Sequence, residues 1–374
     1  MSRNRVIVFY DPSFPGAPVG ADAATLSEIG EVYDAERLAG ALQSMTSGEG
    51  CFISLHSPYF PKDAWGSILE FLRRGGGLVS VGGAPFKRPV RRTADGWRAE
   101  AAQTAYHRNL NIHETLPVAV DPIRRLEAHR DYSQFAAAAE TLPVSPVWNL
   151  VPHVTKASDL PHQMGSAGPM DARLTAVVKG ISADGREVAA PVVLWENLGG
   201  DFAGGRWLFV LQPFAEEAFR TPDGAALLAS WARANANGVT DLWLKPSYAS
   251  YEPGERLQFA VQGQRLGARG RETTAEWTVR VRLSKAGDAR ALWEEELRLV
   301  IGEEWEQRRL VVPVDLEPGY YELVALASSD RGETRTLRQG FWSKDDALLR
   351  SGAPVSCDRD YFRKDGRPLP VVGM

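Results

Sequence analysis

The chain has 374 residues, 43 Lys and Arg against 47 Asp and Glu, 44% hydrophobic residues, and 35 aromatic side chains as 11 Trp, 10 Tyr and 14 Phe. That composition excludes a disordered chain, which combines low hydrophobicity with high net charge. The formal charge of −4 leaves no electrostatic footprint for a nucleic-acid partner, and the length exceeds what one hydrophobic core of roughly 250–300 residues fills, so at least two domains are expected.

Residues 5–10, RVIVFY, form an apolar, β-branched run suited to a parallel strand buried on both faces. Leu26, Ile29, Val32, Leu38, Ala41 and Leu42 recur mostly at three- and four-residue steps, which predicts amphipathic helices between residues 22 and 44. A second strand follows at 51–60, then a helix over 62–77 closed by glycine, and a third strand at 78–83. This alternation predicts a parallel α/β sheet covered on both faces. Residues 87–173, broken by many prolines, read as an irregular insertion with a helical stretch only at 123–141. Strands return at 174–181, 187–197 and 204–214, and a helix over 224–237 closes a first domain of residues 1–240. From 241 to 343 short alternating runs with Glu-Pro-Gly turns at 252–254 and 317–319 predict a β-sandwich, although 290–301 also admits a helical reading. Residues 344–374 read as a linker.

Cys51 and Cys357 are too few and too far apart for a disulfide scaffold. The apolar start is too short for a signal peptide, and no run of 18 apolar residues occurs, so the expectation is a soluble, cytoplasmic protein with no membrane partner.

The run FISLHSPYFPKDAWGSILEFLRRGGGLVSVGGAPF (52–86) resembles the class I glutamine-amidotransferase-like, flavodoxin-like α/β domains, and YEPGERLQF (251–259) resembles the first strands of an immunoglobulin-like sandwich. The tail DYFRKDGRPLPVVGM (360–374) resembles the opening of the (β/α)₈ barrel in many glycoside hydrolases. Together these resemblances imply noncatalytic N-terminal accessory modules of a glycosidase that position the catalytic domain, associate into homo-oligomers or contact carbohydrate, with the catalytic carboxylate pair lying in the barrel. No cofactor is implied. The alternative is a standalone α/β hydrolase or small-ligand-binding protein using the rim of the first domain.

An amidotransferase needs a nucleophile on the elbow after the strand at 78–81, and this chain has Gly82, Gly83, Ala84 and Pro85 there. Cys51 starts the preceding strand, away from the ligand-binding end, and reads as a buried structural thiol. The histidines at 56, 107, 113, 129, 153 and 162 lack metal-ligand spacing. Asp11 and His56 stand at the carboxyl ends of parallel strands, where α/β proteins bind ligands, and Glu196 either joins them from another strand or lies outside the rim. Lys87, Arg88, Arg91 and Arg92, with Trp97 nearby, read as a solvated basic loop. Among the aromatic residues of the sandwich, Trp305 has the polar neighbours expected of an exposed, sugar-stacking side chain.

Overall fold

The computed structural model describes residues 5–45, 50–152, 171–214, 216–219, 221–266, 274–351, 355–357, 362–364 and 367–369. Strands dominate it, organised in several sheets.

The first strands and helices are β1 (Val6–Phe9), α1 (Ala23–Ser27), β2 (Glu31–Tyr33), α2 (Leu38–Gln43), β3 (Cys51–Ser54), β4 (Tyr59–Pro61), α3 (Trp65–Arg73) and β5 (Gly77–Val81). The insertion contributes β6 (Arg88–Thr93), β7 (Gly96–Ala99), α4 (Ala105–Arg108), β8 (Ile112–Val118), β9 (Arg125–Ala128), α5 (Ala136–Thr141) and β10 (Val147–Pro152). Then come β11 (Ala172–Ile181), β12 (Glu187–Asn197), β13 (Arg206–Val210) and α6 (Pro222–Ala236). The main sheet has the order β2-β1-β3-β5-β13-β12-β11-β9. Its first five strands are mutually parallel, whereas β12, β11 and β9 continue it by antiparallel pairing.

Both faces of the parallel part are covered, so alternate residues of each strand enter different cores. Ile7, Phe9, Phe52, Leu78 and Phe209 pack with α2 and α3, while Val8, Ile53, Val79, Leu208 and Val210 pack with α6. Each such fully buried apolar side chain contributes about 1.5–3 kcal/mol. Helix α3 presents Trp65, Ile68, Phe71 and Leu72 along one stripe. It stops at Gly75, whose φ of +84° suits glycine, and the Gly76 N–H returns to the Phe71 carbonyl. Helix α6 begins with the Thr221 hydroxyl accepting from the Gly224 N–H and with Pro222 in its first turn.

Three expectations need correction. The helical periodicity at 22–44 hides β2, whose half-buried residues add an edge strand beside β1. The stretch 123–141 is helical only from Ser133, where a 3-10 turn leads into α5, because Arg125–Ala128 completes the far edge of the sheet against β11. The insertion is also more regular than its prolines suggest: β6 and β7 form a hairpin extended by β4, and β8 pairs with β10.

The second module contains β14 (Val239–Pro246), β15 (Ser250–Tyr251), β16 (Gln258–Leu266), β17 (Ala275–Lys285), β18 (Ala291–Ile301), β19 (Glu306–Val311), β20 (Gly319–Ser329) and β21 (Thr334–Ser343). Two sheets, β14-β16-β19 and β15-β21-β20-β17-β18, enclose a core in which Trp277, Val279, Val281 and Leu283 of β17 face inward at every second position. The segment 291–301 is strand, not helix. After α7 (Asp346–Ser351), the short strands β22 (Val355–Cys357), β23 (Phe362–Lys364) and β24 (Arg367–Leu369) form an antiparallel sheet. The rest of the 360–374 motif lies outside the described residues. No helix among the described residues is long and apolar enough to cross a membrane.

Candidate functional site

The carboxyl ends of β1, β3, β5 and β13 bring together Asp11, His56, Ser57, Gly82 and the segment Leu211–Phe214. Asp11 and His56 meet there, but each is engaged by the protein itself. The Asp11 N–H donates to Nε2 of His56 at 3.1 Å, and Nδ1 of His56 lies 3.1 Å from the Pro15 carbonyl. A carbonyl only accepts and an amide N–H only donates, so the ring is neutral, protonated on Nδ1, with no free lone pair. His56 is 0% exposed and boxed by Phe9 and Phe14, with ring centroids at 4.4 and 5.3 Å. Burial pushes its imidazole down to about 4.

The Asp11 carboxylate accepts from the Ser13 N–H (2.9 Å) and hydroxyl (2.6 Å) and from the Ala35 N–H (3.4 Å). It shapes the loop that follows β1. Outside this loop, Trp97 of β7 packs edge-on against Phe14 at 5.2 Å, which closes the histidine box from the hairpin side.

Beside the box lies a cleft of about 270 Å³, walled by Pro18, Val19, Phe214 and Phe219 and floored by Ser57 and Gly82. The Ser57 and Ser80 hydroxyls are 2.7 Å apart, and Ser80 is fully buried. A buried hydroxyl hydrogen without an acceptor costs about 1–3 kcal/mol. The lower-cost arrangement therefore has Ser80 donating to Ser57. His56, next to Ser57 in the chain, has both ring nitrogens occupied and so is not placed to activate that hydroxyl. At the elbow, Gly82 has φ of +117°, and a Cβ there would sit 2.7 Å from the Ser57 carbonyl oxygen, so the backbone leaves no room for a catalytic side chain.

Glu196 lies at the other end of the sheet. Strand β12 runs antiparallel to β13 and pairs Glu196 with Arg206, the first residue of β13, so the last turn of β12 sits at the amino ends of the parallel strands. Glu196 is wholly buried where the two modules meet. Its Oε2 accepts from Nε and Nη2 of Arg173 at 3.1 and 2.9 Å, and its Oε1 from Arg335 at 2.6 Å and lies 3.2 Å from Arg206. Arg206 also reaches Glu333 at 2.9 Å, Glu333 reaches Arg265 at 3.3 Å, and Arg173 reaches Asp241 at 3.0 Å. Arg173, Glu196 and Arg206 belong to the first module, and Asp241, Arg265, Glu333 and Arg335 to the sandwich. Burial alone would push the Glu196 carboxyl up, but the guanidinium groups of Arg335, Arg206 and Arg173 hold it at about 2. Nothing local in the sequence marks this cluster. Its signals are two arginines, Arg265 and Arg335, at inward-facing positions of sandwich strands.

Cys51 is fully buried at the start of β3, and burial pushes its thiol up. Trp305 is 54% exposed in the β18–β19 connection. His107 is buried with Nε2 against the Pro85 carbonyl, and His153 and His162 lie outside the described residues. Among the described residues no three His, Cys, Asp or Glu side chains group as a metal site.

No protein-family model and no curated protein matches the chain. Solved structures with some similarity include the sporulation control protein Spo0M of Bacillus subtilis, at 13% identity and a TM-score of 0.22, over 32% of this chain and 58% of that one. Another is the alkylpurine DNA glycosylase AlkC of Pseudomonas fluorescens bound to DNA containing an abasic site analog, at 13% identity and a TM-score of 0.20, over 33% of this chain and 38% of that one. The chain spans less than two thirds of the length of either. Similarity at this level identifies neither a fold nor a function.

Proposed function

We infer that these residues are noncatalytic N-terminal modules of a glycoside hydrolase: an α/β module of the glutamine-amidotransferase-like, flavodoxin-like type and an immunoglobulin-like sandwich that together position a catalytic barrel. The strand order β2-β1-β3-β5-β13 supports the flavodoxin-like reading, since it is the 2-1-3-4-5 order of that doubly wound class. The two facing sheets with an alternating core support the sandwich reading. The link to glycoside hydrolysis rests on the resemblance of residues 360–374.

The observation that carries the noncatalytic part is Gly82 at the elbow, packed on the Ser57 carbonyl where a nucleophile would have to stand. The competing reading, a hydrolase working through Asp11, His56 and Glu196, loses support from the same geometry. Both ring nitrogens of His56 are occupied, Asp11 is engaged by Ser13 and Ala35 of its own loop, and Glu196 is in an ion cluster at the opposite end of the sheet. The interlocked charges at the junction support a positioning role, because they tie both modules into one unit.

Assays of purified residues 1–374 against a panel of nitrophenyl glycosides test this. The chain alone should release no nitrophenol, and activity should appear when these residues are joined to the barrel. Hydrolysis by residues 1–374 alone, lost on substitution at the rim, would overturn the reading.

A further inference from the structure

The β6–β7 hairpin carries a charge arrangement that the sequence reading treated as a solvated loop. Its register pairs Arg91 directly with Arg98, and Val90 with Ala99. Side chains alternate along a strand, so Arg91, Thr93, Arg98 and Glu100 share the outward face, while Val90 is fully buried on the other. Like charges directly opposite on an antiparallel pair repel and destabilise it. Glu100 offsets this only in part: its carboxylate accepts from Arg91, from Lys62 at 2.9 Å and from the neutral Gln103 amide at 3.0 Å, so one acid is shared by two cations while Arg98 stands beside them. Arg98 has no ion pair or side-chain hydrogen bond among the described residues, and it is exposed. Asp95, at the hairpin tip, does not line this face.

The ribbon is nonetheless firmly held from behind. Strand β4 pairs with β6, Trp97 packs against Phe14, and the Arg92 guanidinium lies 5.0 Å over the Trp97 ring while its Nε sits 3.5 Å from Glu36. A cavity of about 520 Å³ opens along the hairpin, lined by Arg91, Thr93, Arg98 and Glu100 from the outward face and by Arg92, Ala99 and Ala101 at its margin. Two guanidinium groups on neighbouring strands, aimed into one cavity by a preformed scaffold, suit the planar, multiply accepting geometry of an oxyanion.

We propose that the Arg91–Arg98 face is a binding site for a ligand bearing an oxyanion group, a carboxylate, sulfate or phosphate, held between the two guanidinium groups. The site is independent of the glycosidase reading, since it uses neither the rim nor the junction. An excess of bound anion also relieves the Arg91–Arg98 repulsion, so binding and hairpin stability rise together.

Thermal unfolding and calorimetric titration of residues 1–374 test this with sodium sulfate, sodium phosphate and sodium glucuronate, each against sodium chloride at equal ionic strength and against glucose as the neutral sugar. At least one oxyanion should raise the midpoint above the chloride control, and Arg98→Gln and Arg91→Gln should each weaken that binding by about tenfold or more. Without added oxyanion, Arg98→Gln should unfold no lower than the parent, because it removes a like-charge pair. A stronger response to glucuronate than to sulfate and phosphate would assign the oxyanion to an acidic sugar; the reverse order would assign it to the inorganic anions or their esters. The proposal is overturned if chloride matches every oxyanion, or if the response survives unchanged in both variants.

Discussion

The Glu196→Ala variant is expected to lose about 3–5 kcal/mol of unfolding free energy at neutral pH, measured by urea denaturation, because it leaves buried Arg335 without a carboxylate and Arg206 and Arg173 with only Glu333 and Asp241. Arg206 and Arg335 are almost fully buried and Arg173 is largely so, and all three direct N–H groups at the one carboxylate. A buried ion cluster need not add stability over apolar packing, but removing one member leaves uncompensated charge in a low-dielectric junction. The Glu127→Ala variant serves as control, since the Arg125–Glu127 pair is exposed on both sides and should change stability by less than about 1 kcal/mol. The junction also carries a pH signature. The Glu196 carboxyl is depressed from 4.5 to about 2 on folding, so its contribution is present above pH 4.5 and is lost as pH falls toward 2. A loss in Glu196→Ala no larger than in the control would mean that the cluster does not hold the modules together.

His56 governs a separate, higher window. Burial lowers its imidazole from 6.5 to about 4, so between those values the unfolded chain binds a proton that the folded chain refuses. The stabilisation is therefore complete above pH 6.5 and is lost as pH falls toward 4, by about 3 kcal/mol in all. Glutamine can present one acceptor and one donor without titrating, which makes His56→Gln the informative variant. It should fold at neutral pH and show a markedly flatter stability profile between pH 6.5 and 4. His107 and His129, both lowered by burial, should contribute to the remaining slope, and near its acid end so should the depressed carboxyls of Glu196 and Glu333. Equal slopes in the two proteins would contradict the neutral, doubly hydrogen-bonded ring.

Much of the first module was legible because its strands are uninterrupted apolar runs. VIVF, CFIS and GLVSV are buried on both faces, and such runs need no tertiary information to be recognised. Strand β2 escaped because three residues, Glu31 to Tyr33, sit within spacing that also fits a helix; only pairing with β1 decides the matter. The edge strand β9 escaped for the same reason, its existence depending on β11 some fifty residues later. The sandwich was readable from its period-two alternation, including β18, where Glu294, Glu295 and Glu296 interrupt the pattern but the register with β17 runs through them.

The candidate site was legible only as positions. That Asp11 and His56 end parallel strands follows from local pattern, whereas the saturation of His56 depends on the Pro15 carbonyl and the Asp11 amide, groups that every residue carries. The junction draws on residues from Arg173 to Arg335, so no local window contains it. The direction of β12 decided Glu196: one reversal of strand sense moves a residue from the ligand-binding end of a sheet to its opposite end. In the hairpin, five basic residues between Lys87 and Arg98 were visible as composition, but the Arg91–Arg98 opposition appears only once the register is known.

If residues 1–374 are, as proposed, noncatalytic modules of a glycoside hydrolase, its catalytic carboxylates lie outside them. Reading the gene past codon 374 and weighing the intact native protein tests it most directly. The account predicts a product that continues for roughly 250 residues or more in alternating strands and helices, with paired acidic residues at strand ends. A native protein ending at Met374 would contradict it.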